Sequence, residues 1–240
     1  RRNLIGPERM PYNTGLVLGG GKPVIFHGGD YPAGQSTAMK AAGYDGFAAR
    51  QTAARKAGRY IGIGLANYVE GTGLGPFEGV TVRVLPNGKV AVATGASNQG
   101  QGQRTTLTQI VADHVGCRME DVVMTMADTA AISQGVGAFA SRQAVNAGSS
   151  AHIAGQAVRE KAIELAARTL GVPASDIDLD DGRAIARSGN KPSLSLGELA
   201  RLAQGMPGVS FPTGQGAGLE HTAYFTADRK STCLNSSHRT

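Results

Sequence analysis

The sequence predicts an α+β fold, an α/β layered arrangement in which hairpins and mixed sheets pack against helices, and three observations carry that prediction. The first is a hairpin: Val80, Val82 and Val84 alternate with Thr81 and Arg83, Asn87-Gly88 makes the turn, and Val90 and Val92 return. The second is a helix over 104–115, with Leu107, Ile110, Val111 and Val115 on one face and Gly116 as its stop. The third is a long helix over 142–170 whose single stripe runs Ala144, Gly148, Ala151, Gly155, Val158, Ala162 and Leu165. Small residues in the first half of that stripe predict close approach of a neighbouring backbone. Close packing is the reason to accept glycines that each cost about 1 kcal/mol of helix propensity.

The remaining elements follow in order. Residues 1–37, rich in Gly, Pro and Asn, read as an extended connector. Leu18-Gly19-Gly20-Gly21-Lys22-Pro23 within it imitates a phosphate loop. It lacks the Ser or Thr after the lysine, and Pro23 opposes a following helix, so it reads as a plain turn. A helix is expected over 38–57, stopped by Gly58, and then a strand loosened by glycine from Tyr60 to Val69. Val122 to Met126 is a short strand, and Ser133-Gln134-Gly135-Val136-Gly137 is a loop. A small hairpin is expected from Ile177 to Ile185 around Asp181-Gly182, a helix near 196–203, and a strand from Leu219 to Thr226. Whether the strands pair parallel or antiparallel stays open at this level. Residues 228–240 are polar and aperiodic, and read as a non-native or disordered tail.

Composition removes several function classes. The net charge of +6 comes from dispersed basic residues, the closest groupings being Arg55-Lys56 with Arg59, and Arg229-Lys230. No aromatic residues interleave them, so no nucleic-acid partner is expected. The two cysteines, Cys117 and Cys233, form no CxxC, which supplies neither a disulfide framework nor a four-cysteine cluster site. A reducing, cytoplasmic setting is expected. No apolar run approaches the ~20 residues of a membrane span, and the five histidines show no metal-ligand spacing.

Two turns can hold an anion. Thr94-Gly95-Ala96-Ser97-Asn98-Gln99-Gly100-Gln101-Gly102 joins a strand to a helix start, where glycines allow close backbone approach and free N–H groups point outward. Gln101 adds an amide donor, and Thr105 and Thr106 add hydroxyls. Ala140-Ser141-Arg142 opens the long helix with a fixed cation and a serine near the N-cap position. Two such starts suit a ligand with several anionic groups; two ordinary helix caps are the other reading.

The ordered set of motifs resembles one family. It comprises Arg59 to Ala66, Tyr68 to Pro76, the Asn87-Gly88 hairpin, Gln99-Gly100-Gln101-Gly102 and Ala140-Ser141-Arg142. Arg1-Arg2-Asn3-Leu4-Ile5, and Leu219-Glu220 with Ala223-Tyr224-Phe225, extend it. Together they resemble the molybdopterin-binding large subunits of the xanthine dehydrogenase and aldehyde oxidase family, nearest the carbon monoxide dehydrogenase-like branch. The resemblance covers about residues 1–226 and implies an internal fragment of such a subunit.

It also implies a cofactor role for Gln99, Gly100, Gln101 and Gly102, and for Ser141, Arg142, Ala147 and Gly148 at the long helix. The implied cofactor is molybdenum–molybdopterin in the cytosine dinucleotide form. The implied partners are an iron–sulfur small subunit and an FAD-binding medium subunit. The implied reaction, on a small-molecule substrate, hydroxylates an aldehyde or N-heterocycle or oxidises carbon monoxide. The domain plan is then connector and helix over 1–57, partial cofactor-binding domain over 58–226, and tail over 227–240. No catalytic residue is expected inside the chain. The family's glutamate base should lie beyond the chain's end, Glu220 sits on a mid-chain strand, and Glu70 and Glu78 read as structural or surface residues. By itself the fragment is expected to be inactive. The reading from another class is a non-catalytic phosphate- or nucleotide-binding module.

Overall fold

The computed structural model describes residues 3–17, 21, 23–187, 190, 192–204 and 218–227. Two compact units divide it, Arg1–Val69 and Glu70–Thr240.

In the first unit, strands β1 (Tyr12–Val17) and β2 (Pro23–Phe26) pair antiparallel, with Tyr12 opposite Phe26 and Asn13 opposite Ile25. A hairpin thus occupies part of what reads in sequence as a connector. The join at 18–22 falls mostly outside the described residues. Helix α1 (Tyr31–Ala41) is capped by the Asp30 carboxylate, which accepts from the Ala33 N–H at 2.9 Å. The single helix expected over 38–57 is two helices. Gly43 turns left-handed at φ 60°, Tyr44–Gly46 forms one 3₁₀ turn, and α2 (Phe47–Lys56) starts afresh. Arg50 of α2 reaches back to the Ala42 and Gly43 carbonyls, satisfying acceptors that the end of α1 leaves open. The strand expected over Tyr60–Val69 does not form. Alternating glycines weaken it, no neighbouring strand among the described residues offers a ladder, and Tyr60 and Tyr68 are 87% and 83% exposed.

The second unit holds the core. Four strands lie in the order β5 (Val122–Met126), β4 (Val90–Thr94), β3 (Glu78–Val84), β9 (Glu220–Phe225). β3 pairs antiparallel with both β4 and β9, whereas β4 and β5 run parallel. The parallel pair needs a crossover, which α3 (Gln103–Val115) provides. Hairpin register follows the valine alternation: Val80 opposes Thr94, Val82 opposes Val92, and Val84 opposes Val90. Those valines are buried on one face, against α3 and α4 (Gly148–Leu170), while Thr81 and Arg83 turn to the other face and meet Thr222 and Glu220. Each fully buried aliphatic side chain contributes about 1.5–3 kcal/mol.

A second sheet, β6 (Ile177–Asp180), β7 (Arg183–Ala186) and β8 (Ser193–Ser195), leads into α5 (Leu196–Leu202). Asp181 and Gly182 turn its hairpin with positive φ at both positions. Ser195 and Glu198 close a capping box at α5. No helix among the described residues is long and apolar enough to cross a membrane.

Contacts along α3 and α4 advance together. A Cβ on Gly148 would meet Ile110 at 3.6 Å, and one on Gly155 would meet the His114 Cβ at 3.0 Å. The two helices therefore run in the same sense, and their N-terminal ends lie at the same end of the pair. The small-residue stripe permits this approach. Its first member differs from expectation: Ala144 is exposed, and Gln143, Asn146 and Ala147 are buried instead. A wide π-helical turn over Gln143–Ala147 shifts the face presented inward.

Replacing Leu107, which is fully buried between helix and sheet, by alanine should cost about 2–5 kcal/mol. Thr81→Ala, on the opposite face, should cost less than about 1 kcal/mol. Equilibrium denaturant unfolding separates the two.

Candidate functional site

The site is built around one carboxylate. Glu78 opens β3, and its side chain is fully buried, as is that of Arg142, which precedes the π turn. Arg142 Nη1 donates to Glu78 Oε2 at 2.8 Å and to the Gly137 carbonyl at 2.7 Å. Its Nε donates to the Leu74 carbonyl at 3.0 Å, and Nη2 donates to the Phe77 carbonyl. The Glu78 carboxylate in turn accepts the Gly137 N–H at 3.0 Å and the Val136 N–H at 3.4 Å. A buried ion pair offsets its desolvation only when further hydrogen bonds satisfy the remaining donors and acceptors, and here they do. The Glu78 carbonyl also accepts from the buried Ser150 hydroxyl at 2.7 Å, which ties the strand to α4.

These bonds draw the loop 133–137 onto the end of the hairpin. Gly135 crosses Gly95 so closely that a Cβ on Gly95 would lie 2.4 Å from the Gly135 Cα and 2.7 Å from Glu78 Oε1. Only glycine permits that crossing. Beyond it stand the two turns read from the sequence. Gln99 Nε2 donates to the Ala138 carbonyl at 3.3 Å, so the 97–102 turn is joined to the segment that precedes Arg142.

Gln99, Gly100, Gln101 and Gly102 are all exposed at the entrance to α3, and Gly100 and Gly102 have φ of 97° and 78°. The Gln101 amide is used within its own turn. Its oxygen accepts the Gln99 N–H, and its nitrogen donates to the Ser97 carbonyl at 3.2 Å. One amide hydrogen remains for a ligand. Thr106 turns back to the Gly102 carbonyl at 3.3 Å, and Arg104 to the Met124 carbonyl at 2.6 Å.

The second turn differs from its sequence reading in two respects. Ser141 is no N-cap. It stands at φ 49° beside Ala140 at φ 48°, two consecutive non-glycine residues in the left-handed region, and makes no capping bond to the helix. Its carbonyl accepts the Gly73 N–H at 3.1 Å. Arg142 is not a free cation either, because Glu78 and three carbonyls occupy its guanidinium. Its work is to hold the turn. Ala147 and Gly148 are buried, Gly148 against Ile110.

Sequence reasoning missed three residues. Gln103, at the first turn of α3, and Gln143 and Asn146, in the π turn, are buried with side-chain amide atoms that have no hydrogen-bond partner. The orphans are Gln103 Nε2 and both polar atoms of Gln143 and of Asn146. Each such group costs about 1–3 kcal/mol when left unpaired. A signal was present: Gln103 stands four residues before Leu107 on the apolar face, and Gln143 four before Ala147. Near the starts of the two helices these residues carry buried donors and acceptors that no described residue satisfies. Among the described residues no group of three or more His, Cys, Asp or Glu could hold a metal.

Comparison with known proteins agrees with this chemistry. The sequence model of a family described as molybdopterin cofactor-binding domain matches residues 37–239. The gamma subunit of the 6-hydroxypseudooxynicotine dehydrogenase complex of Paenarthrobacter nicotinovorans is 36% identical over 83% of this chain and 25% of its own length. The carbon monoxide dehydrogenase large chain of Afipia carboxidovorans is 29% identical over 93% of this chain and 29% of its own. Quinoline 2-oxidoreductase from Pseudomonas putida 86 superposes with a TM-score of 0.63 at 30% identity, covering 94% of this chain and 29% of that one. The chain thus spans between a quarter and a third of the length of these relatives. All are oxidoreductases or their subunits, and the alternative of a free-standing phosphate- or nucleotide-binding module gains no support.

Removing Arg142 should test how far the site depends on it. Arg142→Ala leaves the Glu78 carboxylate buried without its cation, and should lower stability by about 3–5 kcal/mol. Thermal unfolding monitored by circular dichroism reads the loss.

Proposed function

The chain belongs to the molybdopterin cofactor-binding domain family, and on that premise we propose that its two joined turns hold the cofactor across the N-terminal ends of α3 and α4. The observation that carries the reading is the set of orphaned amides on Gln103, Gln143 and Asn146 at those helix starts. A pterin with a phosphate tail offers the mixed donors and acceptors that such groups lack. The helix starts add unpaired N–H groups and the positive ends of two dipoles, which favour the phosphates.

In this reading Gly100 and Gly102 let the backbone come close, Gln99 and Gln101 present amide hydrogens, and Ser141 offers a hydroxyl. Ala147 and Gly148 keep α4 near α3, and Arg142 positions the second turn from within. We assign the cofactor-holding part to residues 58–226. The cytosine dinucleotide form fits a site with two anion-favouring helix ends. Bound there, the cofactor would supply molybdenum redox chemistry; the residues of this chain orient it and exclude water.

The complete protein is, on this reading, a molybdenum hydroxylase that acts on an aldehyde or N-heterocycle or oxidises carbon monoxide. Relatives named for nicotine-derived substrates, quinoline and carbon monoxide support that range. Electrons would leave through an iron–sulfur subunit and an FAD subunit in the cytoplasm. A complex-subunit relative supports the multi-subunit assignment.

Gln101→Ala in the complete protein removes a ligand donor and the brace of its turn. Hydrogen bonds to charged groups are worth about 1.5–3 kcal/mol, so cofactor affinity or turnover should fall roughly 10- to 150-fold. Gly102→Val should strain the same turn. Space is open around that Cα, but a β-branched residue resists positive φ, at a cost of about 1–2 kcal/mol. Molybdenum content, turnover and melting temperature measured together decide the matter. Unchanged molybdenum content and turnover in both variants would mean that the turn is only a helix entrance.

A further inference from the structure

A second cluster lies outside the turns, where α3 ends against α4. His114 Nε2 and His152 Nδ1 face each other at 2.7 Å, with ring centroids 4.4 Å apart and planes crossed at 79°. The two imidazoles come from different helices. Gly155 makes the approach possible, because a Cβ there would press on the His114 Cβ at 3.0 Å. Around them opens a cavity of about 320 Å³ lined by Ile110, Asp113, His114, Ala144, Ser149 and His152.

We propose that His114 and His152 form a two-imidazole chelate for a divalent transition-metal ion, with water completing its coordination. Two metal–nitrogen bonds of about 2.0–2.1 Å at 90–110° separate the nitrogens by roughly 2.9–3.4 Å. Reaching that span requires the pair to open by a few tenths of an ångström and both rings to turn so that their lone pairs converge off the N···N line, and His152 is exposed enough to turn. Imidazole nitrogen suits copper, nickel and zinc, with copper bound tightest.

Arg159 reaches the His114 main-chain carbonyl at 3.3 Å from the side of α4. Among the described residues no third His, Cys, Asp or Glu completes a cluster, so the site takes two protein ligands and no more.

The test uses the intact protein, stripped of adventitious metal by chelator and titrated at pH 7.5 with Cu²⁺ and with Zn²⁺ by calorimetry. Electron paramagnetic resonance of the Cu²⁺ form reads the nitrogen ligands directly. One equivalent should bind, with hyperfine structure from two nitrogens. His114→Gln and His152→Gln should each remove one nitrogen and weaken binding by at least about 10- to 100-fold, the loss that follows even from removing an outer partner of a ligating histidine. His27→Gln and His221→Gln should leave both readings alone. Glutamine keeps a hydrogen bond across the pair, so melting temperatures without metal should match and exclude misfolding as the cause. Absence of stoichiometric binding, or binding that survives both His114→Gln and His152→Gln, overturns the proposal.

Discussion

The buried ion pair between Glu78 and Arg142 is the constraint on which the rest of the site depends. Its partners sit 64 residues apart in sequence, one opening the central strand and the other standing at the threshold of the long helix. An uncompensated charge in that position would be intolerable, so both side chains recruit backbone: Gly137 and Val136 toward the carboxylate, and Leu74, Phe77 and Gly137 toward the guanidinium. The loop that carries the second turn is therefore positioned by electrostatic necessity rather than by its own propensity. A pair of this kind contributes little net stability against an apolar replacement. What it adds is a single geometry for segments that have no regular structure.

Strain collects next to that pair. Ala140 and Ser141 occupy the left-handed region in succession, and the helix they introduce begins with a π turn. Left-handed non-glycine residues persist where surrounding contacts over-determine them, and they gather at binding sites. Here the surrounding contacts are the guanidinium behind them, the Gly73 N–H on the Ser141 carbonyl and the Gln99 bond to Ala138. The π turn has its own consequence. By widening one turn it exchanges Ala144 for Gln143 and Asn146 on the inward face, and so places amides where a regular helix would have buried a methyl group.

The second unit also shows how a chain without tryptophan and with few aromatics builds a site. β-branched and small residues fill the layer between sheet and helices, and α3 and α4 lie close enough for glycine to touch a neighbour's side chain. Close, co-directed helices point their positive dipole ends the same way. Where α3 ends beside the first turns of α4, the same closeness brings two histidines into hydrogen-bond range. One packing decision serves both places.

Local chemistry was legible in the sequence wherever a short-range rule governs. The Asn87-Gly88 hairpin, the Asp181-Gly182 turn, helix α3 with its Gly116 stop and the short helix α5 each rest on residues within a few positions of one another. The glycine–glutamine turn and the family resemblance were legible for the same reason. Other features needed the tertiary structure, because they depend on residues far apart. Nothing near Tyr60–Val69 announces that no partner strand waits for it, and nothing near Ser141 reveals that Arg142 is already engaged. Glu78 read as structural or surface, and its full burial became visible only once Arg142 was brought to it. The orphaned amides lay between these cases: Gln103, four residues before Leu107, stood on an apolar face in the sequence, whereas Gln143 and Asn146 were turned inward by the π turn. That no neighbour satisfies them was decided by packing, since hydrogen-bond satisfaction belongs to the whole surround of a group and not to its neighbours in the chain.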